Sequence, residues 1–166
     1  MKNITYFKLR ILITLFFLTT GCSSQPDFEF ITGEKKSLND YKGQWVLINF
    51  WAEWCAPCLK EIPELNQLNR MSGQKNMVVI GVSYDKVSNQ KLREQVEKYG
   101  IEYHMMATEP MPILPFSLPS KLPANYLLDP EGNLVDKLLG TQTVETIELL
   151  LENHKNRYNA QNNNDN

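Results

Sequence analysis

The sequence predicts an α/β fold: a central mixed sheet flanked by helices, with an added N-terminal segment. Three observations carry that expectation. Trp45-Val46-Leu47-Ile48-Asn49-Phe50-Trp51 is an almost unbroken apolar run, the pattern of a central strand buried on both faces. A helical stretch, a second apolar run at Met77-Val78-Val79-Ile80-Gly81-Val82 and another helical stretch follow it, an order that pairs the strands in parallel through right-handed crossovers. Further on, Asn125-Tyr126-Leu127-Leu128 and Leu134 to Leu139 flank Asp129-Pro130-Glu131-Gly132-Asn133, a turn that folds the second run back as an antiparallel edge.

In chain order, residues 1–21 stand apart from that fold. Lys2, Lys8 and Arg10 precede a short apolar core, Ile11 to Leu18, which reads as a secretory signal and is too short to span a bilayer as a helix. The segment ends Leu18-Thr19-Thr20-Gly21-Cys22, which resembles a lipobox and implies a lipidated Cys22 as the mature N-terminus, with residues 22–27 as a tether. The cysteine count agrees with this reading. Three cysteines in an exported chain leave one odd thiol, and lipid on Cys22 leaves Cys55 and Cys58 as an isolated pair. Loss of the signal removes three basic residues and no acidic one, leaving 14 basic against 19 acidic residues, a net of −5. That balance argues against a nucleic-acid partner, which calls for a basic face. About 145 residues remain, enough for one domain around one core.

The domain is expected over residues 28–155. Phe28-Glu29-Phe30 alternates like an exposed edge strand, and Ser37 to Tyr41, ahead of Gly43, reads as a turn or short helix. Leu59, Ile62, Leu65 and Leu68 mark a helix after the central strand. Ser88 is the expected N-cap of a helix over Gln90 to Tyr99, stopped by Gly100. Residues 109–123 hold five of the nine prolines, so regular structure is not expected there. Thr143 to His154, with Val144, Ile147, Leu150 and Leu151 on one face, forms the closing helix. The asparagine-rich residues 156–166 are expected to be disordered.

The chemistry lies in Cys55-Ala56-Pro57-Cys58, set at a strand-to-helix junction. Free N–H groups and the positive end of the helix dipole stabilise a thiolate at Cys55, which makes it the expected nucleophile. Cys58, one turn further in, is sheltered yet close enough for a disulfide, and is the expected resolving thiol. Pro57 suits the first turn, where its missing N–H costs nothing. A structural disulfide or half a zinc site is the alternative. No second CxxC follows, and His104 and His154 lack the spacing of a Cys2His2 set, so no metal is assigned.

The string Asn49-Phe50-Trp51-Ala52-Glu53-Trp54-Cys55-Ala56-Pro57-Cys58-Leu59-Lys60-Glu61-Ile62-Pro63 resembles thioredoxin, and more closely the TlpA/ResA-like thioredoxins, membrane-tethered extracytoplasmic thiol–disulfide oxidoreductases. The resemblance runs from about Phe28 to Asn153. It implies a thioredoxin-like fold, protein substrates that carry disulfides, a membrane electron donor for re-reduction, and no cofactor beyond the redox-active Cys55–Cys58 pair. It also implies that Pro123 is the cis-proline facing the CxxC motif, with Leu122 offering its backbone to a substrate strand and Trp54 and Pro57 lining the same groove; Pro119 is the competing proline.

The sequence departs from the resemblance in two ways. Thioredoxins place a buried aspartate where Asn49 stands, and asparagine cannot take a proton from Cys58. Glutamates that some relatives carry after the second strand or after the cis-proline fall here on Tyr84 and on Ala124-Asn125. Glu53 and Glu61 are then the candidates for proton transfer, against the alternative that both are solvated surface carboxylates. A reading from another class is a copper-binding metallochaperone using Cys55, Cys58 and His104 with Met105, Met106 and Met111.

Overall fold

The computed structural model describes residues 27–162, the last two by backbone alone, so the signal segment, Cys22 and most of the tether lie outside the described residues. Strands β1 (Phe28–Glu29) and β2 (Lys35–Lys36) form a small antiparallel hairpin, followed by a 3₁₀ turn over Leu38–Tyr41. The main sheet holds β3 (Trp45–Trp51), β4 (Met77–Ser83), β5 (His104–Met105), β6 (Ala124–Leu128) and β7 (Leu134–Leu139), in the spatial order β5-β4-β3-β6-β7. The β3–β4 and β4–β5 pairs are parallel, and the β3–β6 and β6–β7 pairs antiparallel, so the sheet is mixed. Helices α1 (Ala56–Arg70), the single turn α2 (Ser72–Lys75), α3 (Asn89–Tyr99) and α4 (Val144–Asn162) complete the chain.

Strand alternation divides the core into two unlike halves. On one face Trp45, Leu47, Trp51 and Val79 meet Ile62, Leu65 and Leu68 of α1, Leu92 of α3, and Ile147 and Leu151 of α4. All three long helices therefore pack on the same side; for α1 and α3 this is what two successive right-handed crossovers in the same direction require, and α4 joins them by packing Ile147 and Leu151 into the same cluster. On the other face Val46, Ile48, Phe50, Ile80, Val82 and Tyr126 are covered by Phe28, Phe30, Leu114 and Phe116, which come from the N-terminal segment and the proline-rich stretch. Among the described residues that side carries no α-helix, only the 3₁₀ turn, which packs Leu38 and Tyr41 against it.

The loop-covered side corrects one expectation. Phe28 and Phe30 are buried, not an exposed edge: Phe30 bridges to Met106, and the Ile31 N–H donates to the Met105 carbonyl at 3.0 Å. The N-terminal segment also fastens the proline-rich stretch, with the Ile113 N–H donating to the Asp27 carbonyl at 2.8 Å.

A second correction concerns the C-terminus, where the expected disordered tail is helical as far as Asn162. Residues past His154 continue the helix because its side chains find partners on the sheet. Tyr158 packs edge-on against Trp45 with ring centroids 6.1 Å apart, and its hydroxyl donates to Glu131. His154 sits 3.1 Å from the Asp136 carboxylate of β7. Tertiary packing, rather than the weak helix propensity of asparagine, decides the element. Among the described residues, no helix is long and apolar enough to cross a membrane.

Candidate active site

The C-terminal end of β3 delivers the two cysteines. Cys55 occupies the N-cap of α1, with Pro57 in the first turn, and its Sγ accepts from the Cys58 N–H at 3.3 Å. Cys55 and Cys58 are joined in a disulfide. A nucleophile that must reach a sulfur in another protein belongs at the surface, yet in this oxidised state Cys55 is only 4% exposed, while neighbouring Trp54 is 69% exposed. Asp85, two residues past β4, shapes that approach. It accepts from the Glu53 N–H at 2.8 Å and from the Trp54 indole at 2.7 Å, which ties the loop before Cys55 to the end of β4.

Pro123 immediately precedes β6, and the Leu122–Pro123 peptide bond is cis; Glu109–Pro110, which nothing in the sequence singled out, is cis too. Ala124 pairs with Phe50, which sets Pro123 beside the end of β3 and the loop that carries the cysteines. Leu122 packs against both halves of the core. Pro119 is buried too, and its carbonyl accepts from the Tyr84 hydroxyl at 3.3 Å.

The two candidate carboxylates have opposite surroundings. Glu61 is fully buried on α1, three residues after Cys58, a spacing that puts both side chains on one helix face with Cβ atoms about 5–6 Å apart. Its Oε1 accepts from the Gln142 N–H at 2.7 Å and from Asn125 Nδ2 at 2.9 Å; its Oε2 accepts from Asn49 Nδ2 at 3.2 Å. Asn49 and Asn125 are cross-strand partners on β3 and β6, and Asn49 Nδ2 also reaches Asn125 Oδ1 at 3.0 Å. The buried Tyr103 hydroxyl donates to Asn49 Oδ1 at 3.2 Å, which fixes the amide so that its nitrogen faces Glu61. Burial pushes the Glu61 carboxyl up to about 7, against the opposing pull of the Gln142, Asn125 and Asn49 donors. The same carboxylate and, more strongly, burial push the Tyr103 phenol upward. A carboxyl that titrates near neutrality, one turn from Cys58, can take up and return a proton.

Glu53 points the other way, toward α3. It accepts from Gln95 Nε2 at 2.8 Å, Lys98 Nζ at 2.9 Å and the Tyr99 hydroxyl at 3.0 Å. The Lys98 hydrogen bond first, then those of Gln95 and Tyr99, hold its carboxyl down at about 2. A group so firmly ionised is a poor proton carrier at neutral pH, and its contacts tie the Trp54 loop to α3.

The soft-ligand set of the copper reading does not assemble. Met105 faces the helix side, with its sulfur accepting from the Trp51 indole at 3.4 Å; Met106 faces the loop side, and Met111 lies exposed on the proline-rich stretch. His104 stacks on Phe30 at 5.0 Å. Gly81 makes the Met105 position possible, because a Cβ there would come within 2.5 Å of Met105 Cε and 2.9 Å of the Tyr103 ring.

Residues 23–138 match the AhpC/TSA family. The chain belongs to that family. It is 31% identical over 118 residues to the thiol-disulfide oxidoreductase ResA of Bacillus thuringiensis (strain Al Hakam), covering 71% of this chain and 68% of the relative. It is 32% identical over 131 residues to the thioredoxin-like protein YneN of Bacillus subtilis (strain 168), covering 76% of each. Among solved structures, the thioredoxin domain of a thiol-disulfide oxidoreductase from Bacteroides vulgatus superposes with a TM-score of 0.61 at 27% identity, covering 75% of this chain and 91% of that one. The fold is thioredoxin-like, and the protein is a thiol–disulfide oxidoreductase.

Proposed function

We propose that the protein is an extracytoplasmic reductase of protein disulfides, anchored by lipid on Cys22 and re-reduced by a membrane electron donor that supplies a dithiol. The observation that carries the mechanism is the buried Glu61 carboxylate, one helical turn from Cys58 and held by two asparagine amides. The basic leader, short apolar segment and Thr-Thr-Gly-Cys sequence support export and anchoring.

In the reduced protein the Cys55 thiolate attacks one sulfur of the substrate disulfide. A Cys55–substrate bond forms, the substrate S–S bond breaks, and the departing thiolate takes a proton from solvent. Glu61 then accepts the Cys58 proton, the Cys58 thiolate attacks Cys55 Sγ, and the mixed disulfide opens to release the second substrate thiolate, which takes the proton back from Glu61. Two electrons pass to the substrate, and the Cys55–Cys58 bond remains until the donor dithiol returns two electrons and the Cys58 proton, its other proton passing to solvent. Trp54, Pro57, Leu122 and Pro123 line the groove in which the substrate lies.

A Cys58→Ser variant tests the scheme. Mixed with an oxidised protein substrate, it should accumulate a covalent adduct through Cys55 that a Cys55→Ser variant cannot form; absence of the adduct overturns the assignment. Equilibration with glutathione tests direction. A midpoint nearer the about −270 mV of thioredoxin than the about −180 mV of protein disulfide isomerase is expected, and the reverse would make the protein an oxidant. Mass spectrometry of the mature N-terminus reads lipid on Cys22, and an unmodified thiol there would remove the anchor from the scheme.

A further inference from the structure

The loop-covered face carries a pocket of about 320 Å³ between the end of β4 and the proline-rich stretch. Tyr84 and Lys86 enter it from the β4 side, and Met111, Leu114, Phe116 and Leu118 from the other. Asp85, between Tyr84 and Lys86 in sequence, turns the opposite way and holds the Trp54 indole beside Cys55. The Tyr84 hydroxyl bonds the Pro119 carbonyl, so the wall of the pocket joins the stretch that leads to Leu122 and Pro123. The Tyr84 N–H also donates to the Trp51 carbonyl at 2.7 Å, so one wall of the pocket is fastened to the end of β3, just ahead of the loop that carries the cysteines. The pocket's apolar side chains are also unusually open to solvent: Tyr84, Met111 and Leu118 are 42%, 47% and 51% exposed, three of the seven large apolar residues exposed among the described residues. Apolar side chains gathered around a concavity next to a reactive centre mark a recognition surface.

We infer that this pocket takes a large apolar side chain of the substrate polypeptide, from a residue near the disulfide cysteine that Cys55 attacks. The inference rests on the proposed reaction, which brings an extended substrate segment across Trp54 and Pro123 and carries its neighbouring residues over Tyr84. It also names the substrate class. A leucine or phenylalanine beside an accessible cysteine is buried in most folded proteins, so the favoured substrates are disulfides in unfolded or partly folded chains. Lys86 at the rim adds a preference for an acidic residue next to the apolar one.

The test compares two disulfide-linked peptides that are identical except for a phenylalanine or a serine two residues from the cysteine. The full-length protein should reduce the phenylalanine peptide with a kcat/KM about tenfold higher, the worth of burying one such side chain. In a Leu118→Ser variant the ratio between the two peptides should collapse toward one, with thermal melting reporting that the fold is kept. Exchange with a small disulfide reagent, run in parallel, reads the Cys55–Cys58 chemistry alone, and its absence in the wild type would count against the proposed function itself. Reagent turnover with equal rates on the two peptides would overturn the pocket assignment only. So would self-association of the wild type that Leu118→Ser abolishes, since the pocket would then belong to a second copy of the chain.

Discussion

Glu53 and Glu61 flank the same disulfide, two residues before Cys55 and three after Cys58, and the fold gives them opposite chemistry. Glu53 meets one cation and two neutral donors at the surface and is held ionised at about 2; Glu61 meets only neutral donors inside the core, where burial raises its carboxyl to about 7. The difference follows from strand and helix phase. Glu61 shares its helix face with Cys58, Ile62 and Leu65, so it must go where they go, into the layer between α1 and the sheet. Glu53 lies in the loop before the helix, where nothing forces it inward and Lys98 of α3 is within reach. Distance from a cysteine in sequence is therefore a poor guide to a carboxylate's surroundings.

The largest effect that can break this contrast is Glu61→Gln. Loss of a positioned proton acceptor should slow the resolving step by about a hundredfold, measured as decay of the mixed disulfide in single-turnover exchange. The wild-type rate should rise with pH through about 7, and the variant should lose that inflection. Stability carries the same signature. Because the folded-state value is raised above the ordinary 4.5, the protonated form is favoured by folding: the contribution is full below about 4.5 and lost as pH rises to about 7. The wild type should lose a few kcal/mol across that window in denaturant titrations, and Glu61→Gln should flatten the profile. An unchanged inflection in the variant would take the proton away from Glu61.

A smaller effect sharpens the contrast from within the core. Asn49→Leu removes one of the three donors that oppose the burial of Glu61 and leaves the Tyr103 hydroxyl and Asn125 Oδ1 short of a partner. The Glu61 inflection should move above 7, and exchange at pH 7 should fall by up to about tenfold as the ionised fraction shrinks. Each unpaired buried group adds about 1–3 kcal/mol of destabilisation. A pH–rate profile that does not move would mean that the asparagines only pack.

Much of this arrangement is legible in the sequence, and what is not has physical causes. The seven residues of β3 stand out because a strand buried on both faces is apolar at nearly every position, and Ser88 and Gly100 mark the ends of α3 because each satisfies backbone groups that the helix cannot. The role of Glu61 is half-written. Its place in the apolar stripe of α1 and the lone polar Asn49 inside β3 are visible, but that the two meet, with Asn125 from 76 residues further on, depends on strand pairing. The burial of Phe28 and Phe30 is hidden because the alternating pattern that reads as a half-exposed edge is the same when loops cover the other side. The last turns of α4 are hidden too, since asparagine-rich sequence reads as disorder while tertiary contacts, those of His154, Lys155 and Tyr158 with Asp136, Lys75, Trp45 and Glu131 among them, hold it helical.

Glu53→Gln is the smallest expected effect and the one that isolates the contrast. Glutamine keeps acceptor capacity toward Gln95 and Tyr99 but loses the charge that faces Lys98. Mixed-disulfide decay at pH 7 should stay within about threefold of wild type, because an exposed ion pair braces the loop without entering the chemistry. The pH dependence of stability should change at the acid end instead. A carboxyl held at about 2 against an ordinary 4.5 contributes stability that is present above 4.5 and lost as pH falls toward 2, so the wild type should soften over that range and Glu53→Gln should not. Thermal melts between pH 2 and 5 read that difference. Should Glu53→Gln instead slow the resolving step as far as Glu61→Gln does, the outer carboxylate would be moving the Cys58 proton, and the buried asparagine-held glutamate would be a structural residue.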